Sequence, residues 1–130
     1  MPFLNVLVAA PASPTLTGKI AATLQDLTRQ HLKKDPALMA IAVQYVAPEQ
    51  WFVGGSSLAA QQNASFWLDI KVTEATNTKG EMAAYIAAVF DAFGVLLGPL
   101  HNESYVLVHP VPASAYGFGG QTQEWRYVRG

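Results

Sequence analysis

Residues 78–99 read Thr78-Lys79-Gly80-Glu81-Met82-Ala83-Ala84-Tyr85-Ile86-Ala87-Ala88-Val89-Phe90-Asp91-Ala92-Phe93-Gly94-Val95-Leu96-Leu97-Gly98-Pro99. Thr78 with Glu81 three positions on has the spacing of a capping box. Met82, Ile86, Phe90, Phe93 and Leu97 then recur at steps of 4, 4, 3 and 4, one face of an amphipathic helix. Gly98-Pro99 stops it. The same steps occur earlier in Leu16, Ile20, Leu24, Leu27 and His31, displaced by 66 residues (Leu16 against Met82). Ser13 can cap that first helix, and Pro14 suits the first helical position because its missing N–H costs nothing there. Lys33-Lys34 fall in its expected last turn, where cations complement the helix dipole, and Asp35-Pro36 ends it.

Strand-like stretches flank both helices. Phe3–Ala10 and Met39–Ala47 enclose the first, Ser65–Thr73 and Tyr105–Val111 the second. Pro48 and Pro112 close the second strand of each half, 64 residues apart, and the pairs Gly54-Gly55 and Gly119-Gly120 follow, 65 apart. Ser56–Asn63 reads as a polar connector, and Gln121–Arg129 as a final strand or a terminal arm. Agreement of helix face, proline and glycine pair at nearly one offset marks an internal duplication. The chain, 1–130, is therefore expected to be one domain with a repeat over 2–55 and 65–120. Each half is a right-handed βαβ unit with parallel strands. Two units side by side make an α+β fold, a four-stranded sheet with both helices on one face. The other sheet face is left uncovered.

Composition narrows the function classes. At 130 residues the chain can build a single core. Only 13% of residues are charged while 51% are hydrophobic, about half the usual charge fraction of ~25%. Subunits packing on the open sheet face would account for that, so an oligomer is expected. A net charge of -1 gives no electrostatic case for nucleic acid or an anionic membrane. No apolar run approaches ~20 residues and no signal core appears, which makes the cytoplasm the expected location. Cysteine is absent, and His31, His101 and His109 lie in three different elements without short ligand spacing, so neither a metal nor another cofactor is expected. Gly117–Gly120 needs only a turn explanation.

The chain opens Met1-Pro2-Phe3-Leu4-Asn5-Val6-Leu7-Val8. If Met1 is removed, Pro2 becomes a secondary amine fixed at the end of a strand. A group that takes up and returns protons works best when its pKa lies near working pH. Apolar neighbours such as Phe3, Trp51 and Phe118, with a nearby cation, would disfavour the ammonium form and bring the amine into that range.

These features together resemble the tautomerase superfamily, which includes 4-oxalocrotonate tautomerase and macrophage migration inhibitory factor. The resemblance rests on Met1-Pro2 opening into a strand, the two βαβ units, Trp51-Phe52-Val53-Gly54-Gly55, Tyr105-Val106-Leu107-Val108 and the second glycine-rich hairpin. It covers nearly the whole chain and matches members in which two short units are fused, which form trimers. It implies a homotrimer acting on a small molecule, with Pro2 moving protons in keto–enol isomerisation. It also implies Lys34, with Lys33 beside it, as the cation that polarises a carbonyl or holds a carboxylate, and Tyr105 as an oxyanion donor lent across a subunit boundary. Trp51 falls where an aromatic keeps the proline desolvated, and His109 and Phe118 are candidates for the pocket wall. Plainer readings stand beside these: a second-position proline that only promotes removal of Met1 and protects the terminus, solvated lysines ending a helix, core aromatics, and an edge or interface histidine.

The departures from the family concern the substrate. The oxalocrotonate enzyme's two arginines match Ala12–Pro14 and Ala40, the paired arginines of the cis-chloroacrylate dehalogenase fall in Thr73–Thr76, and that enzyme's last-strand tyrosine appears as Leu107, where the macrophage factor's asparagine is also lost. Burying unpaired carboxylates is costly, which disfavours a dianion and makes an aromatic or monocarboxylate enol the better fit. A trimeric binding module without chemistry, and a hydratase or dehalogenase, are the competing functions.

Overall fold

The computed structural model describes residues 2–129; Met1, on whose removal the Pro2 amine depends, and Gly130 lie outside them. Strand β1 (Phe3–Ala9) leads into helix α1 (Pro14–Leu32) and strand β2 (Ala40–Val46). A hairpin of β3 (Phe52–Val53) and β4 (Ser56–Ser57) follows, then the short helix α2 (Leu58–Gln61). The second half repeats this as β5 (Ser65–Thr73), α3 (Lys79–Leu97), β6 (Tyr105–Val111), hairpin β7 (Gly117–Phe118) and β8 (Gln121–Thr122), and helix α4 (Gln123–Arg129). The sheet order is β2-β1-β5-β6, parallel within each unit and antiparallel at the central β1–β5 join. The antiparallel centre gives the two halves an approximate two-fold relation.

Both helices start as their sequences dictate. Ser13 Oγ accepts from the Leu16 amide at 3.2 Å. The capping box is complete: Thr78 Oγ1 accepts from the Glu81 amide at 3.1 Å and Glu81 Oε1 from the Thr78 amide at 2.8 Å, which satisfies two otherwise orphaned donors. Helix α1 ends earlier than expected. Lys33 is its cap residue in the left-handed region, φ 59°, so Lys33 and Lys34 lie just beyond the last turn.

One sheet face carries the core. Leu4, Val6 and Val8 of β1 and Phe66, Leu68, Ile70 and Val72 of β5 meet Ile20, Leu24 and Leu32 of α1 and Tyr85, Val89 and Phe93 of α3. The buried stripes differ in rotation from the sequence pattern. In α1 Thr28 and Leu32 are buried where Leu27 and His31 were expected, and those two lie at the flank. In α3 the centre is Tyr85-Val89-Phe93, and Ile86 is 40% exposed. The reason is a polar pair: Thr28 Oγ1 and Tyr85 Oη lie 2.8 Å apart, each satisfying the other. Helix α3 is also long and apolar enough to cross a membrane by length and composition, contrary to the expectation above. In this fold its Tyr85-Val89-Phe93 stripe lies in the core.

Burial pushes the Tyr85 phenol up to about 12, with the Thr28 hydrogen bond opposing. Between pH 10 and 12 the folded chain holds a proton that the unfolded chain has released, so stability falls as pH rises through that window. Two pKa units correspond to about 3 kcal/mol. Urea unfolding on either side of the window should show a loss of that order in the wild type. In Tyr85→Phe the loss should be smaller by that amount; equal pH dependence of the two proteins would refute it.

Two connectors hold more structure than their composition suggests. Ser57 Oγ caps α2 by accepting from the Ala60 amide at 3.1 Å, inside the polar stretch 56–63. Residues 121–129 are mostly the helix α4, neither strand nor arm, because Thr122 Oγ1 accepts from the Trp125 amide at 2.9 Å and starts a helical turn. The repeat extends into these pieces. Leu58 donates its amide to the Trp51 carbonyl at 2.8 Å, and Gln123 donates to the Tyr116 carbonyl at 2.7 Å.

The second sheet face carries Phe3, Asn5, Leu7, Trp67, Asp69, Lys71, Tyr105, Leu107 and His109 in facing register, and neither helix covers it. Phe3 is 49% exposed and Tyr105 44%. Its centre is polar, with Lys71 Nζ 2.8 Å from Asp69 Oδ1, so this open face is a mixed surface.

Candidate functional site

Pro2 stands immediately before β1 and is buried. Its carbonyl accepts from the Ala40 amide at 3.3 Å, which ties the chain start to the start of β2. Beside it is a cavity of about 390 Å³ lined by Pro2, Phe3, Leu38, Met39, Tyr116 and Phe118, among others. Among the described residues, no charged side chain is on its wall. The aromatic wall comes from the second half, because each hairpin reaches across to the strand start of the other unit. Hence Tyr116, 65 residues after Trp51, occupies the place beside Pro2. The Tyr116 hydroxyl lies 3.4 Å from the Lys71 carbonyl. Burial raises its pKa, while a hydrogen bond with the Phe3 backbone works against that. A phenol thus sits at the residue following Pro2, held in its neutral, donating form.

A second cavity of about 510 Å³ adjoins the first, sharing Leu38 and Phe118. Lys33, Lys34 and Arg126 line it together with Asp35, Thr73, Thr76 and the buried Gln123. Lys34 Nζ donates to Thr76 Oγ1 at 2.8 Å. Burial pulls the Lys34 ammonium below its usual pKa, with the charge of Glu81 opposing. Lys33 Nζ is turned to the Gln30 carbonyl at 2.8 Å and stays in solvent.

A third cavity, about 730 Å³, holds Trp51, Phe52, His101, Glu103 and Tyr105. Tyr105 donates its hydroxyl to Glu103 Oε2. That hydrogen bond, then the carboxylate's charge, then burial, raise the Tyr105 pKa. Glu103 donates its amide to His101 Nδ1 at 3.0 Å. This cavity is the counterpart of the Pro2 cavity in the other unit. Ala64 stands before β5 as Pro2 stands before β1, its carbonyl accepting from the His101 amide at 2.9 Å.

Of the residues singled out from sequence, Pro2 and Phe118 meet within one chain, with Lys33 and Lys34 next door. Trp51 and Tyr105 share the third cavity, away from Pro2: Tyr105 pairs through Trp67 with Leu7, at the far end of β1. His109 lies exposed on the open sheet face beside Lys71 and lines none of the three cavities. Tyr116 and Arg126 were not anticipated. The 65-residue offset from Trp51 was the signal for Tyr116; Arg126 had none.

No protein-family model matches the chain, and no curated protein matches it. Solved structures do. A wild-type fused 4-OT described as a symmetric trimer superposes with a TM-score of 0.80 at 21% identity, over 94% of this chain and 96% of its own. A fused 4-OT described as an asymmetric trimer gives 0.83 at 17% identity, over 96% and 98%. A macrophage migration inhibitory factor-like protein from Entamoeba histolytica gives 0.76 at 16% identity, over 93% and 97%. With two βαβ units joined antiparallel, a glycine-pair hairpin closing each, and these likenesses along almost the full length, the chain has the fused, duplicated fold of the tautomerase superfamily.

Proposed function

We propose that this protein is a tautomerase-type isomerase that interconverts the enol and keto forms of a small 2-oxo acid. The Pro2 amine, free after removal of Met1, is the proton carrier. The observation that carries this is the burial of Pro2 at the head of β1 beside a cavity whose described wall residues are all uncharged. The amine takes the enol hydroxyl proton as the carbonyl forms, and a proton returns from the ammonium to the neighbouring carbon. The reaction is a net isomerisation and needs no co-reactant. An apolar wall favours the neutral amine, the form that can act as base. Lys34 next door supplies positive charge for a carboxylate or a developing oxyanion.

The working unit is a homotrimer, as for the fused 4-OT structures described as trimers. The exposed Tyr105, Leu107 and Phe3 on the uncovered sheet face are the surface such packing would bury. In the trimer Tyr105 and Trp51 of one subunit border the Pro2 cavity of the next, which is how residues far apart in one chain serve one reaction.

Ketonisation of phenylenolpyruvate tests the amine directly. Protein whose intact mass shows Met1 removed should be active, and protein retaining Met1 should not, because the Pro2 nitrogen is then a tertiary amide. Equal rates from the two forms would sink the proposal.

A further inference from the structure

The second cavity gathers positive charge without neutralising it. Among the described residues Asp35 is the single acid on its wall, and its carboxylate is engaged, accepting from the Ala37 amide at 2.9 Å. Glu81, the acid that acts on Lys34, is committed to the capping box of α3. Among the described residues the ion pairs are Arg29–Asp26 and Lys71–Asp69, so neither Lys34 nor Arg126 has a carboxylate partner. Lys34 leans on a neutral hydroxyl, Thr76. Arg126 donates to the Phe118 carbonyl at 2.8 Å, and its guanidinium carbon lies 3.8 Å from the Phe118 ring centroid. Its Nε is buried and has no hydrogen-bond partner. A buried donor left unmatched is costly and uncommon, and a guanidinium presents a planar fork suited to a carboxylate.

Phe118 and Leu38 border both this cavity and the one beside Pro2. We propose that Lys34 and Arg126 form a carboxylate subsite, and that a 2-oxo monoacid lies across the Leu38–Phe118 boundary. Its carboxylate sits among the cations and its apolar side chain against Pro2, Met39 and Tyr116. Arg126 is thereby a specificity residue acting together with Lys34, and Phe118 is the surface over which the substrate's short axis turns from charged to apolar. This rests on the assignment of Pro2 as proton carrier. In a 2-oxo acid the reacting carbon is two bonds from the carboxylate, so one anionic and one apolar subsite suffice. No second cation is needed beside Pro2, which answers the missing arginines noted in the sequence.

Calorimetric titration with phenylacetate, which cannot enolise to product here, reads this subsite without turnover. Phenylacetate should bind the wild type, and Arg126→Met and Lys34→Met should each weaken it by about 10- to 100-fold, the range for a lost hydrogen bond to a charged group. Phenylacetamide, the neutral isostere, should bind weakly and alike in all three proteins. Inorganic phosphate should compete poorly, since it offers nothing to the apolar cavity. Unchanged phenylacetate affinity in both variants overturns the subsite, as does equal binding of the amide; phosphate binding as tightly as phenylacetate overturns the bridging pose. Lys34→Met keeps the test valid should Arg126→Met unfold. Pro2→Ala trims the apolar wall but keeps both cations, so its phenylacetate binding should still weaken by a similar factor when Lys34 or Arg126 is also replaced. If Pro2→Ala turns over normally, the proton-carrier assignment falls while the binding result stands by itself.

Discussion

Pro2→Ala is expected to lower kcat/KM for ketonisation by about 10²- to 10⁴-fold, the usual span for losing a positioned acid or base. That corresponds to roughly 3–5 kcal/mol of transition-state stabilisation. Alanine still permits removal of Met1 and still leaves an amine, so the loss would not come from deleting the basic atom. It would come from its placement. The pyrrolidine ring fixes φ, and with its carbonyl held by the Ala40 amide the Pro2 nitrogen has one direction to face. A primary amine on alanine rotates freely and is better solvated. The backbone hydrogen bond to Ala40 survives the change, so thermal unfolding should shift little, and the kinetic loss should appear in kcat more than in KM. Activity within about threefold of wild type would remove Pro2 from the mechanism.

Phe93→Ala is expected to destabilise the fold by about 3–5 kcal/mol, the range for a large core aromatic cut to alanine. Phe93 is fully buried, and its ring stacks on Phe66 with centroids 4.1 Å apart and planes 18° from parallel. The pair joins α3 to the sheet at β5, so the cavity left behind would face strand on one side and helix on the other. Neither side can collapse into it without moving an element. Small domains hold about 5–15 kcal/mol in total, so the variant should unfold at much lower denaturant. Phe93→Leu, which refills most of the volume, should recover the larger part. A midpoint shift for Phe93→Ala no larger than that of a surface substitution would contradict the packing described.

What was readable in the sequence was whatever is encoded locally. Caps at Ser13 and Thr78 with Glu81, the stop at Gly98-Pro99, strand bounds and the glycine pairs all depend on neighbours a few residues away, and these set the two βαβ units. Helix rotation was misjudged because Thr28 and Tyr85 each look polar by themselves; they are core residues only as a pair, 57 positions apart. The short helices α2 and α4 escaped because one serine or threonine hydroxyl starts each. For the candidate site, Pro2, Phe118 and Lys34 were singled out from sequence and line the two adjoining cavities. Within one chain the hairpins cross over, so the aromatic beside Pro2 is Tyr116, while Trp51 lines the third cavity. Arg126 could not be found by spacing, since it matters through stacking on Phe118 and through an unmatched Nε, both properties of the folded chain.

The duplication has an arithmetic consequence. Each chain contains two cavities of one plan, but a polypeptide has a single amino terminus, so only the first strand can begin with a free amine; Ala64, at the head of β5, is locked in the main chain on both sides. A reagent that labels nucleophilic amines should therefore saturate at one equivalent per chain in this cavity type, never two. On the proposed reading the other cavity carries no proton transfer, and it holds the Tyr105–Glu103 and Glu103–His101 hydrogen bonds instead. Fusion thus turns a repeated part into two different ones, and the covalent bond that joins them is what makes them unequal.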